Sequence, residues 1–176
     1  MSCEGCPSAG KCGKDASSCG VVSNPNNSIK NVVAVMSGKG GVGKSSMTVL
    51  LAKALAKKGL KVGIMDADIT GPSIPRLMGV EKEQAYGNKD NEIIPIEVEG
   101  VKLMSLNFMM ENESDPVIWR GPIVGNVVKQ FYTDVCWSDL DVLLIDMPPG
   151  TGDVALTALQ SLPGSGVVMV STPQPM

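Results

Sequence analysis

The feature that most constrains the fold is a glycine-rich stretch at residues 37–46, which reads SGKGGVGKSS. The β-branched run NVVAVMS (31–37) precedes it, and apolar residues at helical spacing follow it as far as a Lys-Lys-Gly stop at residue 59. A second apolar run, KVGIMDAD (61–68), comes next. A glycine loop that joins a strand to a helix, with another strand after it, predicts a βαβ unit.

The alternation of strands and helices continues beyond this unit, with runs that are apolar throughout. It predicts an α/β fold with a mostly parallel, doubly wound sheet that helices cover on both faces. An edge strand is expected within the polar region 81–100, and Gly121-Pro122 is expected to break or delay a helix within 116–135. The remaining predicted elements are a short helix in GPSIPRLMG (71–79), strands in VKLMSLNF (101–108), DVLLID (141–146) and SGVVMVSTPQ (165–174), and a helix in VALTALQSL (154–162).

We expect two parts along the chain. Residues 1–30 form a flexible cysteine-rich arm and linker, with the turn-rich stretch SNPNNS at 23–28. Residues 31–176 form one nucleotide-binding domain, which is expected to be incomplete at its C-terminus because the chain stops shortly after a strand.

The glycine loop fits two phosphate-binding patterns. Gly38, Gly40 and Gly43 satisfy G-x-G-x-x-G, the dinucleotide fingerprint, whereas Gly38, Gly43, Lys44 and Ser45 satisfy G-x-x-x-x-G-K-[ST], the P-loop. A dinucleotide site also needs an acidic residue near the end of the second strand, and an aspartate does stand there, at position 66. The loop alone therefore does not decide between the two ligands.

The P-loop interpretation explains more residues. Lys44 would contact the β- and γ-phosphates, and Ser45 together with Asp146, at the end of another buried strand, would bind Mg²⁺. Dinucleotide cofactors have no use for these three residues together, so the sequence favours ATP or GTP with Mg²⁺; the alternative role for Asp146 is to cap the Pro148-Pro149 turn. The predicted nucleotide-binding residues are Gly38, Lys39, Gly40, Gly41, Val42, Gly43, Lys44, Ser45, Ser46, Asp66 and Asp146.

Three further charged residues leave alternatives open. Lys39 is either a solvated charge or a group that reaches a phosphate on a facing subunit. Asp68 would orient the attacking water or touch Mg²⁺ through it, and Asp66 would pair with Lys44 or bind a water of the Mg²⁺ shell. Turn capping is the alternative for one of the two aspartates. The predicted catalytic residues are Lys39, Lys44 and Asp68.

Four motifs together resemble the Mrp/ApbC-type P-loop ATPases, which carry iron–sulfur clusters. They are GKGGVGKS (38–45), DADITGPSIP (66–75), WRGP (119–122) and IDMPPGTGD (145–153), and the likeness extends over residues 30–174. The first motif marks the wider two-lysine, deviant Walker A group, whereas the second and fourth narrow the resemblance to cluster carriers. Such carriers continue past this point with an adenine-contacting segment and a C-x-x-C pair.

The resemblance implies a homodimer with ATP at the interface, Lys39 acting across it, and slow hydrolysis coupled to cluster transfer to apoproteins. A cytoplasmic location is expected on other grounds, because the N-terminal residues contain no apolar segment typical of a secretory signal. Gly150 and Asp153 fall in the second switch of that family. Two rivals remain: a partitioning or positioning ATPase that carries no cluster, and an electron-transfer ATPase like the nitrogenase iron protein. A third possibility is that the chain performs no ATPase cycle and its arm merely stores metal.

The arm contains Cys3, Cys6, Cys12 and Cys19, spaced C-x2-C-x5-C-x6-C. Four thiolates on one segment could hold a [4Fe–4S] cluster or a structural zinc, and the alternative is an arm without metal. The resemblance favours the cluster, with Cys19 as an inferred fourth ligand. Cys136 stands apart and is expected to be a small buried hydrophobe.

Composition excludes several other functions. The chain has no histidine, so it contains neither a Ser-His-Asp triad nor a His-ligated zinc site. A net charge of −3 without a basic patch argues against nucleic acid as a partner, and no apolar run is long enough to cross a bilayer. Aromatic residues make up only 3% of the chain, whereas there are 11 methionines, which are expected to fill the core.

Overall fold

The structure is a computed structural model that describes residues 24–68, 71, 73–89, 92–109, 121–150 and 164–173. The four cysteines of the arm, the predicted helix at 154–162 and Asp153 lie outside the described residues. No described helix is long and apolar enough to cross a membrane.

The predicted βαβ unit and the mostly parallel sheet are confirmed. Among the described residues, six strands form one sheet in the order β5-β6-β2-β7-β1-β8, in which only the β5–β6 pair is antiparallel, and β3 pairs with β4 in a separate two-stranded sheet. The elements are β1 (Ser28–Ser37), α1 (Lys44–Lys57), β2 (Val62–Asp66), α2 (Ile74–Met78), β3 (Tyr86–Gly87), β4 (Ile93–Ile94), β5 (Ile96–Val98), β6 (Val101–Ser105), α3 (Gly121–Asp134), β7 (Asp139–Asp146) and β8 (Gly166–Val170).

Helices α1 and α3 pack on opposite faces of the sheet. Val49 and Ala52 of α1 belong to one buried cluster, and Val128 and Phe131 of α3 belong to another. Strand residues divide between the two clusters because successive side chains of a strand point to opposite faces. The sheet is therefore doubly wound, as predicted.

Methionines fill much of the space between the layers, as the composition predicts. Met65, Met104 and Met147 are fully buried. The flexible thioether side chain adapts to irregular gaps that a rigid ring would not fill. Helix α3 spans Gly121–Asp134, so the Gly121-Pro122 pair lies in the first turn of the described helix.

The linker before β1 is more ordered than its composition indicates. Strand β1 begins at Ser28, three residues before the predicted boundary, and the backbone N–H of Asn27 donates to the backbone carbonyl of Asn24 across a turn. The side-chain amides of Asn24 and Asn26 both donate to Glu92, at 2.8 and 2.9 Å. Residues 24–27 are thus fixed to the domain through hydrogen bonds that the sequence pattern does not reveal.

Candidate nucleotide-binding site

The glycine loop connects β1 to α1, and its backbone requires glycine at two positions. Gly41 and Gly43 have φ values of 76° and 86°, in the left-handed region that side chains disfavour. No described residue lies within 4 Å of a Cβ built at either position, so within the described part of the chain backbone conformation rather than space selects glycine there. The loop leads into α1, which begins at Lys44, and the first turn of this helix contains no acidic residue. Its free N–H groups and the helix dipole therefore favour an anion.

Lys44, Ser45 and Asp146 come together at the start of α1. The Lys44 ammonium lies 2.9 Å from Oδ2 of Asp146, and the Ser45 hydroxyl donates to the same oxygen at 2.6 Å. Asp146 is the last residue of β7, and β7 runs parallel to and beside β1, so both strands end at the same edge of the sheet. The juxtaposition predicted from the strand ends is therefore present, and the roles of the three residues stay predictions.

Thr48 belongs to the same cluster and was missed by sequence reasoning. It is fully buried, and its hydroxyl lies 2.9 Å from Oδ1 of Asp146 and 3.1 Å from the Lys44 carbonyl. Each oxygen of the Asp146 carboxylate thus has its own hydroxyl partner. The available signal was helical spacing, because residues three apart lie on one face, as Ser45 and Thr48 do.

Ser73 also lies near Ser45, although no motif singled it out. Its hydroxyl lies 3.4 Å from the Ser45 hydroxyl and 3.1 Å from the Gly71 carbonyl. Ser73 directly precedes α2, so the segment after β2 contacts the start of α1.

The two aspartates after β2 occupy different environments. Asp68 lies 3.8 Å from the Lys44 ammonium and lines the cavity at the glycine loop. Asp66 is buried, and its carboxyl group accepts a hydrogen bond from the Asp68 N–H at 3.1 Å and from the Ser105 hydroxyl at 3.3 Å. The bond to the Asp68 N–H is a turn-capping arrangement, the alternative role that the sequence offers for one of the two aspartates.

Burial raises the pKa of Asp66 to about 8, and the neighbouring charge of Asp146 adds to the rise, while the Asp68 N–H opposes it. The Asp66 carboxyl group is therefore largely protonated at neutral pH. Among the described residues the Lys44 ammonium lies within 4 Å of the carboxylates of Asp146 and Asp68, whereas its charge acts on Asp66 only as a smaller effect that lowers the Asp66 pKa. The place of Asp66 among the nucleotide-binding residues stays a prediction.

A cavity of about 320 Å³ opens beside the loop. It brings together most of the predicted phosphate-binding residues with several that were not predicted. Gly38, Lys39 and Val42 lie in the same loop but are not among the described residues that line it, and Lys39 is exposed. The cavity is lined by Ser37, Gly40, Gly41, Gly43, Lys44, Ser45, Ser46, Asp68, Ser73, Leu77 and Pro149.

The lone cysteine of the domain differs from expectation. Cys136 is half-buried rather than buried, because it lies in the short connection between α3 and β7 instead of within the core. Its sulfur lies 3.7 Å from the Ser138 hydroxyl. Within the described ranges no group of three or more Cys, Asp or Glu side chains could hold a metal ion.

Comparison with known proteins identifies the family. The family model described as NUBPL iron-transfer P-loop NTPase matches residues 28–176, which is most of the chain. The chain belongs to this family. An iron–sulfur cluster carrier protein of Clostridium perfringens is 51% identical over 97% of this chain. The chain spans 63% of that relative's length.

Two solved structures share the fold of this chain. A nucleotide-binding protein from Archaeoglobus fulgidus, solved in complex with ADP and with cobalt, superposes with a TM-score of 0.72 at 46% identity. The match covers 82% of this chain and 55% of that one. The septum site-determining protein MinD of Pyrococcus horikoshii superposes with a TM-score of 0.56 at 23% identity, over 84% of this chain and 59% of that one. This second likeness concerns the fold alone.

Proposed function

We propose that the protein is an iron–sulfur cluster carrier that binds clusters and transfers them to apoproteins in a cycle of ATP binding and hydrolysis. Membership of the iron-transfer P-loop NTPase family and the similarity to the iron–sulfur cluster carrier protein of Clostridium perfringens support the carrier role. The observation that carries the nucleotide part is the convergence of Lys44, Ser45 and Asp146 beside the glycine loop. Among the comparisons reported above, the one that bears on the rival role of a positioning ATPase is the superposition with MinD, which concerns the fold alone.

The residues present fit ATP with Mg²⁺. Backbone N–H groups of the loop and the Lys44 ammonium would hold the phosphates, and the Ser45 hydroxyl with the Asp146 carboxylate offers the oxygen ligands that Mg²⁺ prefers. The bound ion would neutralise charge on the phosphate oxygens. Asp68 would orient the attacking water. Lys44 already lies between Asp146 and Asp68, so a phosphate would enter in competition with these carboxylates.

Replacing Lys44 by alanine tests the placement of the phosphates. We expect Lys44→Ala to abolish ATP binding, measured by isothermal titration calorimetry, because the variant lacks the cation that contacts the β- and γ-phosphates. Lys53→Ala is the matched control, since Lys53 lies on the same helix but pairs with Glu99 at 2.9 Å, away from the loop. Unchanged ATP affinity in Lys44→Ala would contradict the proposed site.

The cluster is proposed to bind the arm as cargo, through Cys3, Cys6, Cys12 and Cys19. After anaerobic reconstitution we expect roughly four iron and four sulfide per chain, as in a [4Fe–4S] cluster. A variant with alanine at the first three of these cysteines should lose both, whereas Cys136→Ala should retain them. Little iron in the parent chain, with ATP binding intact, would favour the positioning ATPase instead.

We further propose that the protein acts in the cytoplasm as a homodimer, with Lys39 reaching the nucleotide of the facing subunit. Lys39 is exposed, as this role requires. In an assay of cluster transfer to an apoprotein, Lys39→Ala should bind ATP but lose ATP-stimulated transfer. Transfer at the parent rate would exclude a role for this lysine across the interface.

A further inference from the structure

Ser37, the last residue of β1, has a buried hydroxyl group without a partner. The residue is 2% exposed, and its Oγ atom makes no hydrogen bond within the part of the chain that the structure describes. Its carbonyl oxygen, by contrast, accepts a hydrogen bond from the Gly150 N–H at 2.9 Å. A buried hydroxyl that lacks a hydrogen-bond partner destabilises the folded chain, and almost all buried polar groups in proteins have a partner. A buried Ser37 hydroxyl without a partner among the described residues is therefore unusual, and a ligand could supply the missing partner.

The position of Ser37 indicates what could partner this hydroxyl. Ser37 directly precedes the glycine loop and lines the same cavity as Lys44 and Ser45. The Ser45 hydroxyl is already hydrogen-bonded to Asp146, whereas the Ser37 hydroxyl has no hydrogen-bond partner among the described residues. A hydroxyl can donate one hydrogen bond and accept others, so it suits a phosphate oxygen or a phosphate-bound water equally.

We propose that Ser37 is a further residue of the phosphate site, whose hydroxyl gains its hydrogen-bond partner from an oxygen that the nucleotide brings into the cavity. That oxygen belongs to a phosphate group or to a water bound to one. The inference rests on the proposed nucleotide-binding function. It assigns Ser37 a role that the P-loop pattern does not contain, since that pattern begins at Gly38.

Ser37→Ala separates a ligand-binding role from a structural one. Without nucleotide, the melting temperature should stay unchanged or rise, because the substitution removes a hydroxyl that has no partner. The affinity for Mg-ADP and for a non-hydrolysable Mg-ATP analogue, measured by calorimetry, should fall about 3- to 10-fold, as expected for one hydrogen bond. Ser37→Thr retains the hydroxyl, so this variant should bind both nucleotides with an affinity near that of the parent chain.

Ser28→Ala is the matched control. Ser28 is the first residue of the same strand, is exposed, and lies at the end away from the loop, so this variant should bind nucleotide like the parent chain. A Ser37→Ala variant that melts at lower temperature but binds both nucleotides with parent affinity would overturn the proposal. Lys44→Ala, measured in parallel, distinguishes the two failures. If Lys44→Ala also keeps its affinity, the nucleotide site itself is wrong; if it loses affinity while Ser37→Ala does not, only the role of Ser37 is wrong.

Discussion

Replacing Asp66 by asparagine should change how the stability of the chain depends on pH. Asp66 is only 2% exposed, and burial together with the nearby Asp146 raises its pKa to about 8 from the ordinary value of 3.8. In the folded chain the carboxyl group therefore keeps its proton over a pH range in which the unfolded chain has lost it. Asparagine has nearly the same shape and no proton to lose, so Asp66→Asn removes this difference.

The sign and size of the effect follow from the two pKa values. Below a pH of about 4 both states hold the proton, and Asp66 costs no stability through its charge. As the pH rises from 4 to 8 the unfolded state is favoured by about 1.4 kcal/mol per pH unit, because only the unfolded chain has released the proton. Over the whole range the loss is on the order of 5 kcal/mol, and above the folded pKa it grows no further.

Urea denaturation of the metal- and nucleotide-free chain at several pH values between about 5 and 8 measures this loss. The chain has no histidine, so no imidazole titrates in that range and obscures the signal. The free energy of unfolding should fall with pH in the parent chain and in Asp139→Asn, an exposed control, but much less in Asp66→Asn. Equal slopes in the parent chain and Asp66→Asn would refute the claim that Asp66 holds a proton in the folded chain.

Three further substitutions test the packing and the site. Gly63→Ala should destabilise by about 1–3 kcal/mol in urea denaturation, because its Cβ would lie 2.7 Å from Cδ1 of Leu140. Gly166→Ala is the control, since no described residue lies within 4 Å of a Cβ at that position, and equal urea midpoints for the two variants would contradict the packing around Gly63. Thr48→Val should cost about 1.5–3 kcal/mol, because it removes a hydrogen bond to the buried Asp146 carboxylate; an unchanged free energy of unfolding would exclude that bond. Asp146→Asn should bind ATP with an affinity that no longer rises on adding Mg²⁺, and a preserved Mg²⁺ effect in calorimetry would remove Asp146 from the metal site.

The main sheet could be predicted from the sequence because its signals are local. Apolar runs such as that of β7 end at an aspartate or a glycine, and the carboxyl ends of parallel strands meet at one edge of the sheet. Together with the P-loop pattern, which needs an acidic residue at the end of a neighbouring strand, this rule placed Asp146 near Lys44, 102 positions earlier, where the structure has the two charged groups 2.9 Å apart. The position of Asp146 could thus be predicted without knowing any side-chain contact, because the ends of the parallel strands determine it.

The side chains that hold the site together could not be predicted in the same way. Thr48 looks like an ordinary helix residue, and only the arrival of β7 beside α1 gives its hydroxyl a carboxylate to contact. The properties of Asp66 likewise depend on burial and on Asp146, 80 positions away, and a motif that lists an aspartate says nothing about whether it is ionised. Sequence patterns identified the charged residues but not their protonation or partners.

The linker before β1 is a second case in which sequence composition does not reveal the contacts: it is ordered, although its composition predicts flexibility. Asparagine, proline and serine predicted a flexible connection, which is what this composition forms when it has no partners. The Glu92 carboxylate supplies those partners: it accepts hydrogen bonds from the side-chain amides of Asn24, Asn26 and Asn88. These bonds lower the pKa of Glu92, because each favours the charged form. A polar segment is therefore ordered here by one carboxylate far along the chain, and composition alone could not have revealed it.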